Sequence, residues 1–176
     1  MKKYLIVVDM QKDFVDGALG SAQAQAIVGN VVEKIKGWDG PIFVTRDTHL
    51  EDYLESREGK YLPVEHCILN SDGWQLDESV ALALNEKNHV IFVNKPTFGS
   101  VKLLDIIHEM HNDAKDMSFE LVGLCTDICV VSNAMLLKSA FPESDIAVDQ
   151  SCCAGVTVEG HDAALATMKC CQIDII

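Results

Sequence analysis

What most constrains this chain is a recurrence of short apolar runs rich in β-branched residues, at Tyr4–Val8, Pro41–Thr45, His89–Val93, Phe119–Leu124, Asp145–Val148 and Gln172–Ile176. Runs this short and this continuously apolar suit strands buried on both faces, as in parallel sheets covered by helices. The stretches between them have helical periodicity. Ala22–Lys36 places Ile27, Val28, Val31, Val32 and Ile35 on one stripe, Ser100 is positioned to cap a helix bearing Leu103, Leu104, Ile107 and Met110, and Thr157 is positioned to cap the last helix. The alternation predicts an α/β fold of three layers, with helices on both sides of a six-stranded, mostly parallel sheet. A length of 176 residues and a hydrophobic fraction of 48% suit one core, so a single domain over residues 1–176 is expected.

Charge narrows the partners. With 14 basic and 27 acidic residues the formal net charge is −13, which repels phosphate-rich surfaces and argues against nucleic acid and anionic membrane. Only five consecutive apolar or aromatic residues precede Asp9, too few for a signal-peptide core or a membrane span, and a cytoplasmic protein is expected. Seven cysteines, an odd number without an export signal, read as free thiols and mostly as small core residues. Cys152 and Cys153 are adjacent, as are Cys170 and Cys171, and Cys125 and Cys129 are not at zinc-ribbon spacing. Residues 46–76 hold charges, Gly59, Pro63 and Gly73 without sustained periodicity. A long irregular segment inside a compact domain is usually functional.

Open α/β sheets bind ligands beyond the carboxyl ends of their strands. Asp9 ends the first run, Asp47 and His49 follow the second, Lys95 follows the third, and Cys129, within GLCTDICV, opens the helix after the fourth. Each has a plainer reading by itself: a core cysteine, a strand-end carboxylate, a solvated loop lysine. Packing alone does not require all of them to meet at one sheet edge. A thiol at a helix N-terminus is expected to ionise below its free pKa of about 8.5, because unpaired N–H groups and the helix dipole favour thiolate. A carboxylate at the end of an apolar strand is poised for burial, which raises its pKa toward that of a useful base.

Asp47 and His49 form a DxH pair whose side chains point the same way in an extended segment, so both can grip one ion. His66 in LPVEHC is the natural third ligand, with Glu58 binding directly or through water; the rival reading is a His66 hydrogen-bonded within the loop. Two histidines and one carboxylate suit zinc or iron(II). His108 and His111 read as a solvated helix face, and His89 and His161 have no evident partners. Gly17 and Gly20 do not supply the spacing of a dinucleotide-binding loop, which sets aside a dehydrogenase.

Taken jointly, VVDMQKDF, RDTH, PVEHC, NKPTF and GLCTDICV resemble the isochorismatase-like cysteine hydrolases, and among them the nicotinamidases, over nearly the whole chain. The resemblance implies strand order 3-2-1-4-5-6, a catalytic triad of Asp9, Lys95 and Cys129, and a cis peptide between Leu124 and Cys125. It also implies an oxyanion hole from the N–H groups of Cys125 and Cys129. One divalent metal is implied on Asp47, His49 and His66, zinc first, with iron or manganese also fitting. The implied reaction is hydrolysis of nicotinamide to nicotinate and ammonia through a cysteine thioester, within pyridine nucleotide salvage and NAD metabolism. Phe14, Phe98 and Leu62 or Tyr61 would wall the ring, and a homo-oligomer is expected. The stretch CILNSDGWQL departs from the glycine- and threonine-containing loop of many relatives. A sibling amidase acting on an N-carbamoyl, ureido or other small amide, and a noncatalytic protein of the same fold, are the alternatives. A vinyl ether hydrolase has no need of the thiol.

Overall fold

The computed structural model describes residues 2–110 and 117–176. Its sheet has the order β3-β2-β1-β4-β5-β6, formed by β1 (Lys2–Val8), β2 (Ile42–Asp47), β3 (Val90–Lys95), β4 (Met117–Leu124), β5 (Asp145–Ala154) and β6 (Asp174–Ile175). Every pairing is parallel, where the sequence predicts a mostly parallel sheet. The helices are α1 (Lys12–Val15), α2 (Ala22–Gly37), α3 (Arg57–Tyr61), α4 (Glu78–Asn85), α5 (Val101–Met110), α6 (Val131–Ala140) and α7 (Val158–Cys170). Ser100 and Thr157 cap α5 and α7 as predicted, through Leu103 N–H at 3.1 Å and Gly160 N–H at 2.9 Å. Among the described residues no helix is long and apolar enough to cross a membrane.

Successive residues of the central strands serve opposite layers, as the period of a strand requires. Ile6, Phe43, Leu121 and Val148 pack with Leu103 and Ile107 of α5, Leu137 of α6 and Met168 of α7. Leu5, Val7, Ile42, Val44 and Val122 pack with Ile27, Val31 and Ile35 of α2 and with Val80 and Leu84 of α4. Burying both faces explains why these runs read as continuously apolar.

Three sequence expectations change. β2 and β3 extend far enough to include Asp47 and Lys95 as their last residues, so both are strand residues and not followers. β5 continues to Ala154 because its pairing with β4 resumes at Gly123 and Cys153 after a bulge, and the polar residues of that bulge hide the continuation. The segment 46–76 holds α3 and a single 3₁₀ turn, Tyr53–Glu55, among its loops. His108 is exposed, as a solvated helix face requires, with its ring against Phe141 at a centroid distance of 4.6 Å; His111 lies outside the described residues.

One backbone position has no substitute. Gly123 pairs with Val8 at φ 118°, and a Cβ there would stand 2.1 Å from the Val8 carbonyl oxygen. Glycine alone adopts that conformation freely and permits that approach. Gly123→Ala is expected to lower the unfolding free energy by at least about 2 kcal/mol in urea titration; an unchanged midpoint would contradict the close approach.

Candidate active site

The end of β1 and the start of α6 meet over the carboxyl edge of the sheet. Asp9 follows β1 with φ 47°, a left-handed conformation that aspartate tolerates better than most side chains, and it is fully buried. Thr45 on β2 donates its hydroxyl to Asp9 Oδ1 at 2.7 Å. Lys95, at the end of edge strand β3 and 1% exposed, reaches across β2 to place Nζ 2.6 Å from Asp9 Oδ2. The ammonium is the close charged neighbour of that oxygen, as the Thr45 hydroxyl is of the other. Nζ also lies 3.4 Å from Cys129 Sγ and 3.4 Å from Asp47 Oδ1.

Cys129 sits in a π-helical turn, Thr126–Val130, between the cis Leu124–Cys125 peptide and α6. The helix start lies where the sequence places it, yet the thiol is not activated as expected there. Burial and the Asp9 carboxylate push Cys129 well above the ordinary thiol value, and Lys95 offsets only part of this. At 5% exposure the thiol is desolvated, which disfavours its charged form. Burial likewise holds Asp9 above the usual carboxylate range against the opposing charge of Lys95. Burial alone would lower Lys95, but the charges of Asp9, Cys129 and Asp47 raise it, so the ammonium stays protonated. Cys129, Asp9 and the Lys95 ammonium thus stand together in the interior at this sheet edge.

Asp47, His49, Glu58 and His66 offer ligand atoms that all lie within 4.8 Å of one another. His49 Nε2 is 3.0 Å from Asp47 Oδ2 and His66 Nε2 is 3.5 Å from the same oxygen. His66 Nδ1 stands 2.8 Å from the Val64 carbonyl oxygen. That oxygen can only accept, so Nδ1 carries a proton and Nε2 is the nitrogen turned toward the cluster, the one a metal-binding histidine uses. The donor set and its compactness fit one divalent ion. Burial would raise Asp47, but hydrogen bonds from His49 and His66 with the charge of Lys95 outweigh it and hold the carboxyl well below the usual range.

A pocket of about 370 Å³ joins the two groups, lined among others by Phe14, Asp47, Leu62, His66, Phe98 and Cys129. Tyr61 is 77% exposed and stands outside it. Cys125 lines it as well, its thiol pushed up to about 12 by burial and by Asp127.

Several polar residues that sequence reasoning missed hold these groups in place. Gln11 clamps the Asp47 backbone, donating Nε2 to its carbonyl at 2.8 Å and accepting its N–H at 2.7 Å. Asp13 accepts the Cys67 N–H at 2.7 Å beside His66. Asn133 on α6 donates to the carbonyls of Cys129 at 2.7 Å and Phe98 at 3.2 Å, and accepts the Ser100 N–H at 3.0 Å, so one amide ties the Cys129 turn to a pocket wall. The signal for Asn133 was an asparagine in a helix interior, where it is a poor helix former. His161 finds a partner in Thr126 Oγ1, 2.8 Å away.

The six-stranded parallel sheet in the order 3-2-1-4-5-6 thus carries a buried cysteine, carboxylate and lysine in contact at its carboxyl edge. The chain belongs to the isochorismatase family: the family model for the isochorismatase domain matches residues 3–176. The pyrazinamidase/nicotinamidase of Streptococcus mutans is similar at 28% identity with a TM-score of 0.85, over 99% of this chain and 100% of that one. The pyrazinamidase of Pyrococcus horikoshii, solved in complex with zinc, is 24% identical with a TM-score of 0.80, over 100% of this chain and 99% of that one. The N-carbamoylsarcosine amidase of Thermoplasma acidophilum shares the fold at 21% identity and a TM-score of 0.75, over 99% of this chain and 95% of that one. No sequence among the curated proteins matches.

Two predictions follow from these contacts. Asn133→Leu removes three hydrogen bonds to the backbone, two of them buried, and is expected to cost about 2 kcal/mol or more of stability, with thermal and urea unfolding as the check. Asp9 raises the Cys129 thiol and Lys95 lowers it. Iodoacetamide at pH 8 is therefore expected to label Cys129 faster in Asp9→Asn and more slowly in Lys95→Met than in wild type; the same direction in both would refute this electrostatic assignment.

Proposed function

We propose that the protein hydrolyses a small primary amide through a thioester on Cys129, with nicotinamide as the leading substrate. The observation that carries this reading is the contact of Lys95 Nζ with both Asp9, at 2.6 Å, and Cys129, at 3.4 Å, beside a pocket that also reaches a compact metal-binding group.

The chemistry follows from a neutral thiol beside a buried base. Asp9 removes the thiol proton as Sγ attacks the amide carbon, so the thiolate forms only when it is consumed. Lys95 keeps a positive charge beside the pair through the step. The N–H groups of Cys125 and Cys129 receive the developing oxyanion, and a donor in such a position is worth ~3 kcal/mol. Protonated Asp9 then passes its proton to the departing nitrogen as the C–N bond breaks, leaving an acyl group on sulfur. Asp9 next takes a proton from water as the oxygen attacks the thioester, and returns it to sulfur as the acid leaves.

Asp47, His49 and His66, with Glu58 beside them, would hold one divalent ion, zinc by donor preference with iron or manganese as the alternatives. Bound there, the ion supplies a Lewis acid that anchors a pyridine-type nitrogen. Phe14, Leu62 and Phe98 face the ring from the protein side. The likeness to an N-carbamoylsarcosine amidase favours one second reading, an N-carbamoyl or ureido amide at the same thiol.

Ammonia release measured over nicotinamide, pyrazinamide and ureido amides separates the two. Nicotinamide turnover is expected, falling at least about 10³-fold in Cys129→Ala, and falling with chelator and returning with zinc. Asp47→Ala and His49→Ala are expected to lose bound metal by elemental analysis. Release from ureido compounds alone would favour the second reading, and no release from any amide would refute both.

A further inference from the structure

The pocket is longer than a bare pyridine carboxamide needs. Its lining runs from Asp47 at the end of β2, past Leu124 and Cys129 beside β4, to Gly155 and Val156 after β5. Those strands are three spacings apart in the sheet order, roughly 14 Å at about 4.8 Å per strand. A ring that reaches from the metal-binding group to Cys129 leaves the β5 side unfilled. The volume agrees: the pocket holds about 370 Å³, whereas a pyridine carboxamide occupies on the order of 140 Å³, counting two heavy atoms per water-sized 30 Å³.

The unfilled lobe is apolar. Leu19, Ala24 and Val156 are among the pocket's lining residues, and its lining carboxylates, Asp47 and Glu58, both belong to the metal-binding group. Its polar groups are already engaged: Ser21 Oγ caps α2 by accepting the Ala24 N–H, and the Val156 N–H donates to Asp127 Oδ1. Val156 is 59% exposed, so the lobe opens toward solvent.

Asp9 decides which side of the amide carries the extra group. The leaving nitrogen must approach Asp9 for its proton, and Asp9 is fully buried between Thr45 and Lys95 and is not part of the pocket wall. A substituent on that nitrogen has nowhere to go, whereas one on the acyl ring can enter the lobe. We propose that the preferred substrates are primary heteroaromatic carboxamides with an apolar substituent on the ring, directed into the lobe formed by Leu19, Ala24 and Val156. This rests on the amidase reading above and specifies its substrate class.

The test measures kcat/KM from acid product for nicotinamide, for propyl nicotinamides substituted at each free ring carbon, and for N-propylnicotinamide, using the zinc-loaded protein. At least one ring-propyl compound is expected to exceed nicotinamide by about tenfold or more, as burial of about two methylenes provides. Ala24→Leu, which fills the lobe, is expected to reduce that ratio at least tenfold. Turnover of nicotinamide with every ring-propyl compound slower overturns the proposal and leaves the amidase reading standing. N-propylnicotinamide turned over as fast as the best ring-propyl compound also overturns it. No turnover of any compound overturns the amidase reading, and the substrate class with it.

Discussion

The structure depends on one buried ion pair, Lys95 with Asp9. Two charges removed from water are costly, and their attraction compensates only when the geometry is close and the remaining polar atoms are engaged. Here Nζ is 2.6 Å from the carboxylate, Thr45 serves the other oxygen, and the ammonium also faces Cys129 and Asp47. The pair joins an edge strand to a central one across β2, so the sheet order and the site are one construction. Removing either partner would leave the other's charge poorly compensated in the interior, which costs stability.

The ammonium also links two chemical centres. Asp47 belongs to the compact group that fits a divalent ion, and its Oδ1 lies 3.4 Å from Lys95 Nζ, which lies equally far from the thiol. The proposed nucleophile and the proposed anchor for the substrate ring therefore share one cation and one pocket. Gln11 fixes the backbone of Asp47, and Asn133 fixes the backbone of Cys129. Both act through main-chain atoms, which fixes the backbone at Asp47 and Cys129 without engaging their side chains.

Much of the fold was legible in the sequence because burial on both faces leaves its mark locally. Runs such as Tyr4–Val8 announce a covered parallel strand, and Ser100 and Thr157 announce helix starts. The continuation of β5 was not legible, since Gln150 and Ser151 interrupt the apolar pattern at a bulge. Strand order came from family resemblance, not from periodicity, because runs do not reveal their neighbours. The resemblance and strand-end positions selected Asp9, Lys95, Cys129, Asp47, His49, Glu58 and His66, and the structure brings them to one edge. Two things escaped. The thiol's ionisation was misjudged because a helix N-terminus is visible in sequence whereas burial beside Asp9 is not. The clamps of Gln11 and Asn133 escaped because their partners, Asp47 and Phe98, lie 36 and 35 residues away.

The central claim is that sulfur 129 becomes acylated during turnover. Wild-type protein mixed with nicotinamide, quenched in acid within the first turnovers and digested, can be read by peptide mass spectrometry. The account predicts a nicotinoyl group on the peptide carrying Cys129, absent from Cys129→Ala and absent from the other cysteines. Steady hydrolysis with no acyl group on that peptide, or with the group on a different cysteine, would contradict it.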